Sequence, residues 1–196
     1  MSFNVQRLLP AFFLIAASVF LSACASDKMM TLTTPPPVAT TPPQGQSTLV
    51  LFRSSFFGGA VQSSVFDVTD GQSDFIGIIS AGKKVTHTFP AGERRVMALG
   101  ENASFIDIDT LPGKVYYARV SPRMGLWKAR FVLEPVPAGD PALEEELASC
   151  EWVGNTPTST AWAQQNIQSA LIKMREYLPE FESDPNRAML SKSDGR

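Results

Sequence analysis

The chain has few of the residues from which most active sites are built. One histidine, His87, and two cysteines, Cys24 and Cys150, occur in 196 residues. A hydrolytic triad needs a base that a third group orients, and a zinc site needs paired ligands at close spacing. A triad would depend entirely on His87, and its place within a strand pattern favours a packed or edge side chain over a catalytic one. We therefore predict no catalytic residues, no metal ligands, no cofactor and no enzymatic activity.

An excess of charge of one sign is also missing. The 17 Lys and Arg residues and the 19 Asp and Glu residues give a formal net charge of −2. A near-neutral surface lacks the basic face that nucleic-acid-binding proteins use, so we predict no nucleic-acid partner. Short basic clusters such as Lys83-Lys84 and Arg94-Arg95 are more typical of solvated strand edges than of an anion site.

Glycine-rich phosphate loops, nucleophile elbows and dinucleotide fingerprints are absent from the sequence. Two groups of acidic residues are the remaining candidates for metal binding or acid–base chemistry. The spacing of Asp67, Asp70 and Asp74 does not match a calcium-binding EF-hand loop, so a hydrated hairpin is favoured. Asp107 and Asp109 share one face of a predicted strand. Two carboxylates about 5 Å or more apart are able to do acid–base work, but on an exposed face they are more often simply solvated.

The N-terminal region has the pattern of a secretory signal. Arg7 carries the only side-chain charge before an apolar run from Leu8 to Ala25. A positive stretch, an apolar stretch and small residues before a cleavage site define such a signal. About 18 apolar residues are also just long enough for a membrane-spanning helix. Pro10 near the start of the run and the small residues at its end favour the signal.

The four residues Leu21-Ser22-Ala23-Cys24 resemble the lipobox of bacterial lipoproteins. The resemblance implies that the Cys24 thiol receives a diacylglycerol and that cleavage leaves Cys24 as the first residue. Several acyl chains on one cysteine hold a protein firmly in a membrane, at about 0.8 kcal/mol per buried methylene. If the host sorts lipoproteins as enterobacteria do, Ala25 in place of aspartate implies the outer membrane, with the protein facing the periplasm.

Composition divides the chain into five segments. They are a signal peptide (1–23), a lipidated cysteine with a Pro/Thr-rich linker (24–47), a β-sandwich (48–137), a helical pair (138–181) and a flexible tail (182–196). Prolines in the linker favour polyproline II, which rises about 3.1 Å per residue. The linker is therefore expected to hold the folded part up to roughly 70 Å from the bilayer.

Seven or eight short strands, separated by glycine, aspartate and proline, predict a mainly β fold. The strand patterns cover 48–54, 61–68, 75–79, 83–89, 94–99, 104–110, 115–120 and 126–133. The strand that ends at Arg53 is apolar on both faces, which predicts a central position in its sheet. Strands of this length and spacing are typical of a small antiparallel sandwich.

Two helices are expected after the strands. Asp140-Pro141 predicts the start of the first helix, and Ser159–Leu178 has helical periodicity that Pro179 should end. Cys150 falls on one helical face with Leu143 and Leu147, which favours burial of its thiol. The alternative is a disulfide between two chains, because an odd cysteine in a secreted protein is either buried or available to a partner.

Three motifs resemble those of a family of uncharacterised bacterial lipoproteins related to the PEGA surface-layer domain. They are Leu51-Phe52-Arg53 at a strand end, the turn Pro90-Ala91-Gly92-Glu93, and Gly113-Lys114-Val115-Tyr116-Tyr117. The resemblance covers Thr48 to Pro135 and implies a transthyretin-like or PEGA-like sandwich. It brings no catalytic residues. The chain departs from the family at Phe56-Phe57-Gly58-Gly59 and at Ala91.

Six aromatic side chains are candidates for an association surface. They are Phe56, Phe57, Tyr116, Tyr117, Trp152 and Trp162. The two phenylalanines, beside two glycines, would form either an apolar tip or part of the core. The tyrosines should point to opposite faces of a strand, one of them into the core. The tryptophans should pin the helices to the sheet, with a partner groove as the alternative.

These features predict a lipid-anchored, non-enzymatic protein of the bacterial cell envelope. It would act structurally or by binding an envelope protein or the peptidoglycan, because tethering raises the effective concentration of nearby partners. One alternative is a small-ligand-binding or hydrolytic head with a cleft between sheet and helices. Another is a protein that associates with itself through an edge strand.

Overall fold

The structure is a computed structural model that describes residues 29–124 and 130–196. The predicted signal, the lipobox and Cys24 therefore lie outside the described residues. So does 125–129, which contains part of the predicted strand 126–133.

Eleven strands and two helices make up the described part of the chain. The strands are β1 (Met30–Leu32), β2 (Gln46–Arg53), β3 (Ser63–Asp67), β4 (Asp74–Ile79), β5 (Lys83–Pro90), β6 (Glu93–Leu99), β7 (Ala103–Asp109), β8 (Val115–Arg123), β9 (Arg130–Val136), β10 (Glu151–Asn155) and β11 (Met189–Leu190). The helices are α1 (Leu143–Ala148) and α2 (Pro157–Ser183). The predicted mainly β class is confirmed.

The strands form two sheets. The first has the order β1-β10-β5-β2-β8-β9, and the second has the order β11-β7-β6-β3-β4. Most neighbours are antiparallel, but β2 with β8, β10 with β5, and β11 with β7 are parallel. The predicted sandwich is mainly antiparallel and includes these three parallel pairs. Each joins strands far apart in sequence, as a parallel pair requires.

A hydrophobic core lies between the two sheets. Alternate residues of each strand point into it, as the period of two requires. The first sheet contributes Leu49, Leu51, Val85, Tyr116 and Val120, and the second contributes Val65, Ile79, Val96, Ile106 and Ile108, all of them buried. The central position predicted for the strand ending at Arg53 is confirmed, because β2 lies between β5 and β8 and is buried from Ser47 onwards.

The outer face of each sheet carries an apolar cluster that a helix covers. On the second sheet Ala163, Ala170 and Met174 of α2 pack against a cluster that includes Phe66 and Phe105. On the first sheet, α1 covers a second cluster composed of Phe52, Val136, Leu143 and Cys150. The predicted burial of Cys150 is confirmed, and burial raises the pKa of its thiol.

Helix α2 begins with a capping box and does not end where the sequence indicated. The Thr156 hydroxyl accepts a hydrogen bond from the Ser159 amide, and Pro157 occupies the first turn. The prediction that Pro179 ends the helix is wrong, since α2 continues to Ser183. Pro179 is exposed, so water can hydrate the carbonyl it leaves unpaired, while Phe181 packs against Phe105 at 5.4 Å between ring centroids.

The two predicted helices are not a simple pair, because strand β10 lies between them and joins the first sheet. None of the helices in residues 29–124 and 130–196 is long and apolar enough to cross a bilayer.

The described part of the predicted linker belongs to the folded head. Strand β1 pairs antiparallel with β10, with Met30 opposite Asn155. The Thr33 amide donates to the Trp152 carbonyl at 2.9 Å, and Ala39 and Pro42 are buried. The expectation of a polyproline tether over 24–47 is therefore wrong from Met29 onwards. The prolines follow β1 and lie in the connection from β1 to β2 instead of forming a spacer.

The last residues of the chain are likewise folded, which contradicts the expected flexible tail over 182–196. Strand β11 lies parallel to β7, with Leu190 opposite Ile108. The Arg196 amide donates to the Val115 carbonyl, and the Val115 amide donates back, both at 3.0 Å. Few apolar residues occur in this segment, and the one that is fully buried, Leu190, holds it to the core.

Neighbouring residues of β11 test whether the tail is part of the fold. Leu190 is 0% exposed and Met189 is 49% exposed. We expect Leu190→Ala to lower the free energy of unfolding by about 2–5 kcal/mol, as for other buried leucines. Met189→Ala should cost well under about 1 kcal/mol. Urea unfolding measures both, and two equally small effects would show that the tail contributes nothing to stability.

Candidate functional site: an aromatic loop and an apolar cleft

The loop of residues 54–62, between β2 and β3, carries the most exposed phenylalanines of the described chain. Phe56 is 71% exposed and Phe57 is 56% exposed. Of the two alternatives for this pair, the structure shows an apolar tip and not a part of the core. Gly58 follows with φ +62°, a left-handed backbone conformation that a residue with a side chain rarely adopts.

A buried arginine fixes the backbone of this loop. Arg53 ends β2, is 1% exposed, and donates hydrogen bonds only to loop carbonyls among its described partners. Its guanidinium reaches Ser55 at 3.3 Å, Phe57 at 2.7 Å, Gly58 at 3.0 Å and Val61 at 2.7 Å. Four carbonyl oxygens therefore converge on one planar group, which restricts the loop to one conformation.

Arg53 has no ion-pair partner among the described residues. Burial lowers its pKa, although arginine remains protonated at physiological pH. The Phe131 ring lies 5.4 Å from its guanidinium carbon and adds a cation–π contact. The charge is thus stabilised by carbonyl dipoles and one ring, so the loop cannot detach without leaving a buried charge unsatisfied.

An apolar cleft of about 640 Å³ borders this loop. Its floor is the outer face of the second sheet and one wall is α2. Its apolar lining consists chiefly of Phe66, Ile78, Leu99, Phe131, Trp162 and Ala170. Val61 and Gln62, the last residues of the 54–62 loop, form part of the rim. The cleft between sheet and helix that the ligand-binding alternative required is therefore present.

The described chain begins beside the same cleft. Met29 contributes to its lining, and the following residue, Met30, packs against the core between the sheets. Only four residues, 25–28, separate Met29 from Cys24 in the sequence. Met29, the apolar cleft and the end of the 54–62 loop are neighbours in space.

The remaining predicted aromatic residues are structural. Tyr116 is fully buried, and its hydroxyl accepts a hydrogen bond from the Leu111 amide at 2.8 Å. Tyr117 faces the opposite side, packs beneath α1 and lies under Arg196. The prediction that one tyrosine enters the core is confirmed, but the other is half-buried and not freely accessible. Burial raises the pKa of both phenols.

The two tryptophans hold peripheral elements to the sheets. Trp152 lies on β10, with the Lys84 ammonium 4.8 Å from its ring. Trp162 lies on α2 and packs against Phe75, with ring centroids 6.2 Å apart. Both are half-buried, as pinning residues should be. Trp162 in addition lines the cleft.

His87 forms a polar contact between the two sheets. Its Nε2 lies 2.9 Å from Oδ2 of Asp67, whose other oxygen accepts a hydrogen bond from the Thr69 amide at 3.0 Å. Burial raises the pKa of Asp67, but the hydrogen bonds from His87 and Thr69 outweigh it, and the pKa lies below its usual range. Among the described residues, neither a serine hydroxyl nor a cysteine thiol forms a hydrogen bond with His87.

The acidic candidates have partners that the sequence did not indicate. Asp107 accepts from Arg95 at 2.6 Å and from Arg187 at 2.9 Å, and Asp109 lies 3.4 Å from the Lys192 ammonium. The expectation that both are simply solvated is wrong, because they bind the folded tail. In the described ranges no three His, Cys, Asp or Glu side chains, including Asp67, Asp70 and Asp74, form a metal-binding group.

Sequence reasoning singled out Phe56 and Phe57 but missed Arg53 as the residue that orders their loop. An arginine at the end of a strand that is apolar on both faces was the available signal. A charged residue there is either exposed or buried with several partners.

Comparisons with known proteins add no family assignment. No protein-family model matches the chain, and the curated proteins include no significant match.

The role of Arg53 in ordering the loop is testable by hydrogen exchange. In Arg53→Met the loop loses its four hydrogen bonds, each worth about 1.5–3 kcal/mol for a charged donor. The Val61 amide, which donates to the Gly58 carbonyl at 3.0 Å, should then exchange at least about tenfold faster. The core amide of Ile106 serves as the internal reference.

Arg130→Met is the matched control, because Arg130 is exposed and pairs with Glu101. It should leave exchange at Val61 unchanged. Unchanged exchange at Val61 in Arg53→Met would show that the loop is ordered without the guanidinium.

Proposed function

We propose that the protein is a lipid-anchored, non-enzymatic component of the bacterial cell envelope that binds a partner protein through the 54–62 loop. The observation that carries the proposal is the exposure of Phe56 and Phe57 on a loop whose backbone the buried Arg53 holds in place. Anchoring would occur through Cys24, on the lipobox resemblance.

An ordered aromatic tip is suited to binding. Exposed phenylalanine is unfavourable in water, and burying such a ring against a partner contributes about 1.5–3 kcal/mol. The loop loses little conformational entropy on binding, because four hydrogen bonds already restrict it. Interfaces owe most of their affinity to a few central anchors of this kind.

The position of the loop favours a partner in the same membrane. Five peptide steps separate Cys24 from Met29, and such a segment spans at most about 18 Å. A head tied so closely meets membrane-associated proteins at high effective concentration. An apolar tip also suits a protein surface better than the polar strands of peptidoglycan.

Hydrolysis receives less support from the geometry. Asp67, Asp107 and Asp140 have pKa values below the usual range, and each is hydrogen-bonded to His87, Arg95 or Arg119. None of these carboxylates lines the apolar cleft. The cleft itself favours binding of an apolar group.

Site-specific photocrosslinking in cells tests the association surface. A benzoylphenylalanine at Ala60, an exposed loop residue, should give a discrete adduct with an envelope protein. Phe56→Ser/Phe57→Ser should lower its yield at least about tenfold, because two interface anchors are lost. Ile172→Ser, an exposed apolar residue of α2, is the control and should leave the yield unchanged. An equal yield in the double variant would refute this surface.

Metabolic labelling with an alkyne fatty acid, followed by intact mass measurement, tests the anchor. We expect a labelled protein that starts at Cys24. Label should be lost in Cys24→Ala and retained in Cys150→Ala, since Cys150 is buried. An unlabelled wild-type protein, or a mature form that starts elsewhere, would contradict lipidation.

A further inference from the structure

The cleft beneath α2 has the size and chemistry of a site for a hydrocarbon chain. Its volume of about 640 Å³ lies within the range of small-ligand sites, about 300–1,000 Å³. Of its apolar lining, Phe66 and Phe131 are already buried, whereas Leu99 and Trp162 are half-buried and leave apolar surface accessible. Left open, this accessible surface remains in contact with water, at a cost of roughly 25 cal/mol per Å² of apolar area.

Two polar side chains at the cleft are already engaged. The Lys173 ammonium donates to the carbonyls of Gly100 and Glu101, at 2.9 Å for Gly100. The Asn166 amide donates to the Trp162 carbonyl at 2.8 Å. Because these groups have partners within the protein, an occupant need not offer polar groups to satisfy them. Gln62, Ser64 and Ser169 also line the cleft, but most of its lining is apolar, which favours a mainly apolar occupant over a polar small molecule.

The chain itself places such an occupant within reach. Met29 lies in the cleft lining, and Cys24 is five residues earlier. The intervening segment reaches at most about 18 Å, so a group on Cys24 remains close to the cleft. The intervening residues Ala25, Ser26, Asp27 and Lys28 are small or polar and are themselves poor candidates to fill it.

We propose that an acyl chain carried by Cys24 occupies the cleft beneath α2. This inference rests on the proposed lipidation of Cys24. An acyl chain that moves from the bilayer into the cleft exchanges one apolar environment for another, while the cleft lining is removed from water. Removal of the cleft lining from water therefore favours the exchange and opposes the entropy lost when the chain is ordered. It also fixes the orientation of the head, because the seated chain and the chains left in the bilayer share one cysteine.

Lipid photocrosslinking tests the proposal on the intact protein. Cells fed a diazirine fatty acid would produce acylated protein, which is purified and placed in phospholipid vesicles before irradiation. We expect crosslinked peptide pairs that join the lipid-bearing Cys24 peptide to a cleft peptide, such as the one that contains Trp162 and Ala170. A mixture of ¹⁴N- and ¹⁵N-labelled protein shows whether both peptides come from one chain.

Adjacent residues of α2 provide the matched variants. Ser169 is exposed at the cleft and Gln168 is exposed outside its lining, so tryptophan at either position should leave the fold intact. Ser169→Trp obstructs the cleft and should reduce the crosslinks to background. Gln168→Trp should leave them at the wild-type yield.

Three outcomes would overturn the proposal. Crosslinks from Cys24 to vesicle lipid alone would place every acyl chain in the bilayer. Cleft peptides joined to free phospholipid, or to Cys24 of a second copy, would assign the cleft to another occupant. Protein without fatty-acid label would refute lipidation itself, which separates failure of the proposed anchor from failure of the proposed cleft occupant.

Discussion

Each sheet has an apolar inner face and an apolar cluster on its outer face, and much of the rest of the structure covers these surfaces. The inner faces cover each other in the sandwich core. Helix α2 shields one outer face, and α1 with Cys150 shields the other. The segment from Met29 and the tail each extend a sheet by one edge strand, β1 in the first sheet and β11 in the second. Nearly all of the described chain is thereby committed to one packed unit.

Because nearly all of the described chain is packed into one unit, little of it is left to form a spacer. From Met29 onwards, the segment that composition marks as a spacer forms β1 and a mostly exposed connection that buries Ala39 and Pro42. On the proposed lipidation of Cys24, the head therefore lies near the bilayer and not at the end of a long tether. Met29 lines the same cleft as Val61 and Gln62, the last two residues of the 54–62 loop.

Arg53 links the packed unit to its exposed tip. The side chain is buried at the end of the central strand, yet its donors reach outward to four carbonyls of the loop. The packed sandwich holds Arg53 in place, and Arg53 in turn restricts the conformation of the 54–62 loop. Phe56 and Phe57 keep their exposure because the backbone beneath them cannot collapse onto the surface.

Local sequence patterns predicted the structural features that depend on neighbouring residues. The apolar run Leu49, Val50, Leu51 and Phe52 indicated a strand buried on both faces, and adjacent Tyr116 and Tyr117 indicated that one ring would enter the core. What escaped prediction depends on partners distant in the chain. Strand β1 exists because β10 is there to pair with it, about 120 residues later. Strand β1 has only three residues, which is too few to show a periodicity that would predict its pairing with β10.

The folded tail escaped prediction, and the cleft was predicted only as an alternative, for the same physical reason. Asp107 looked solvated because Arg187, which binds it, is 80 residues away in sequence. Helix α2 passes Pro179 because contacts of Phe181 and Glu182 with the second sheet outweigh one lost backbone hydrogen bond. A cleft between a sheet and a helix is a property of their packing, and neither segment alone indicates it.

The central claim is that the head lies close to the membrane with its loop end toward the bilayer. Fluorescent labels at Ala60→Cys in the loop and at Leu111→Cys, both in a Cys150→Ala background, would test it with acylated protein in vesicles that contain spin-labelled lipid. Strand β2, which separates these ends, spans roughly 26 Å. The account predicts strong quenching at residue 60 and little at residue 111. Equal quenching at both positions, or stronger quenching at residue 111, would contradict it.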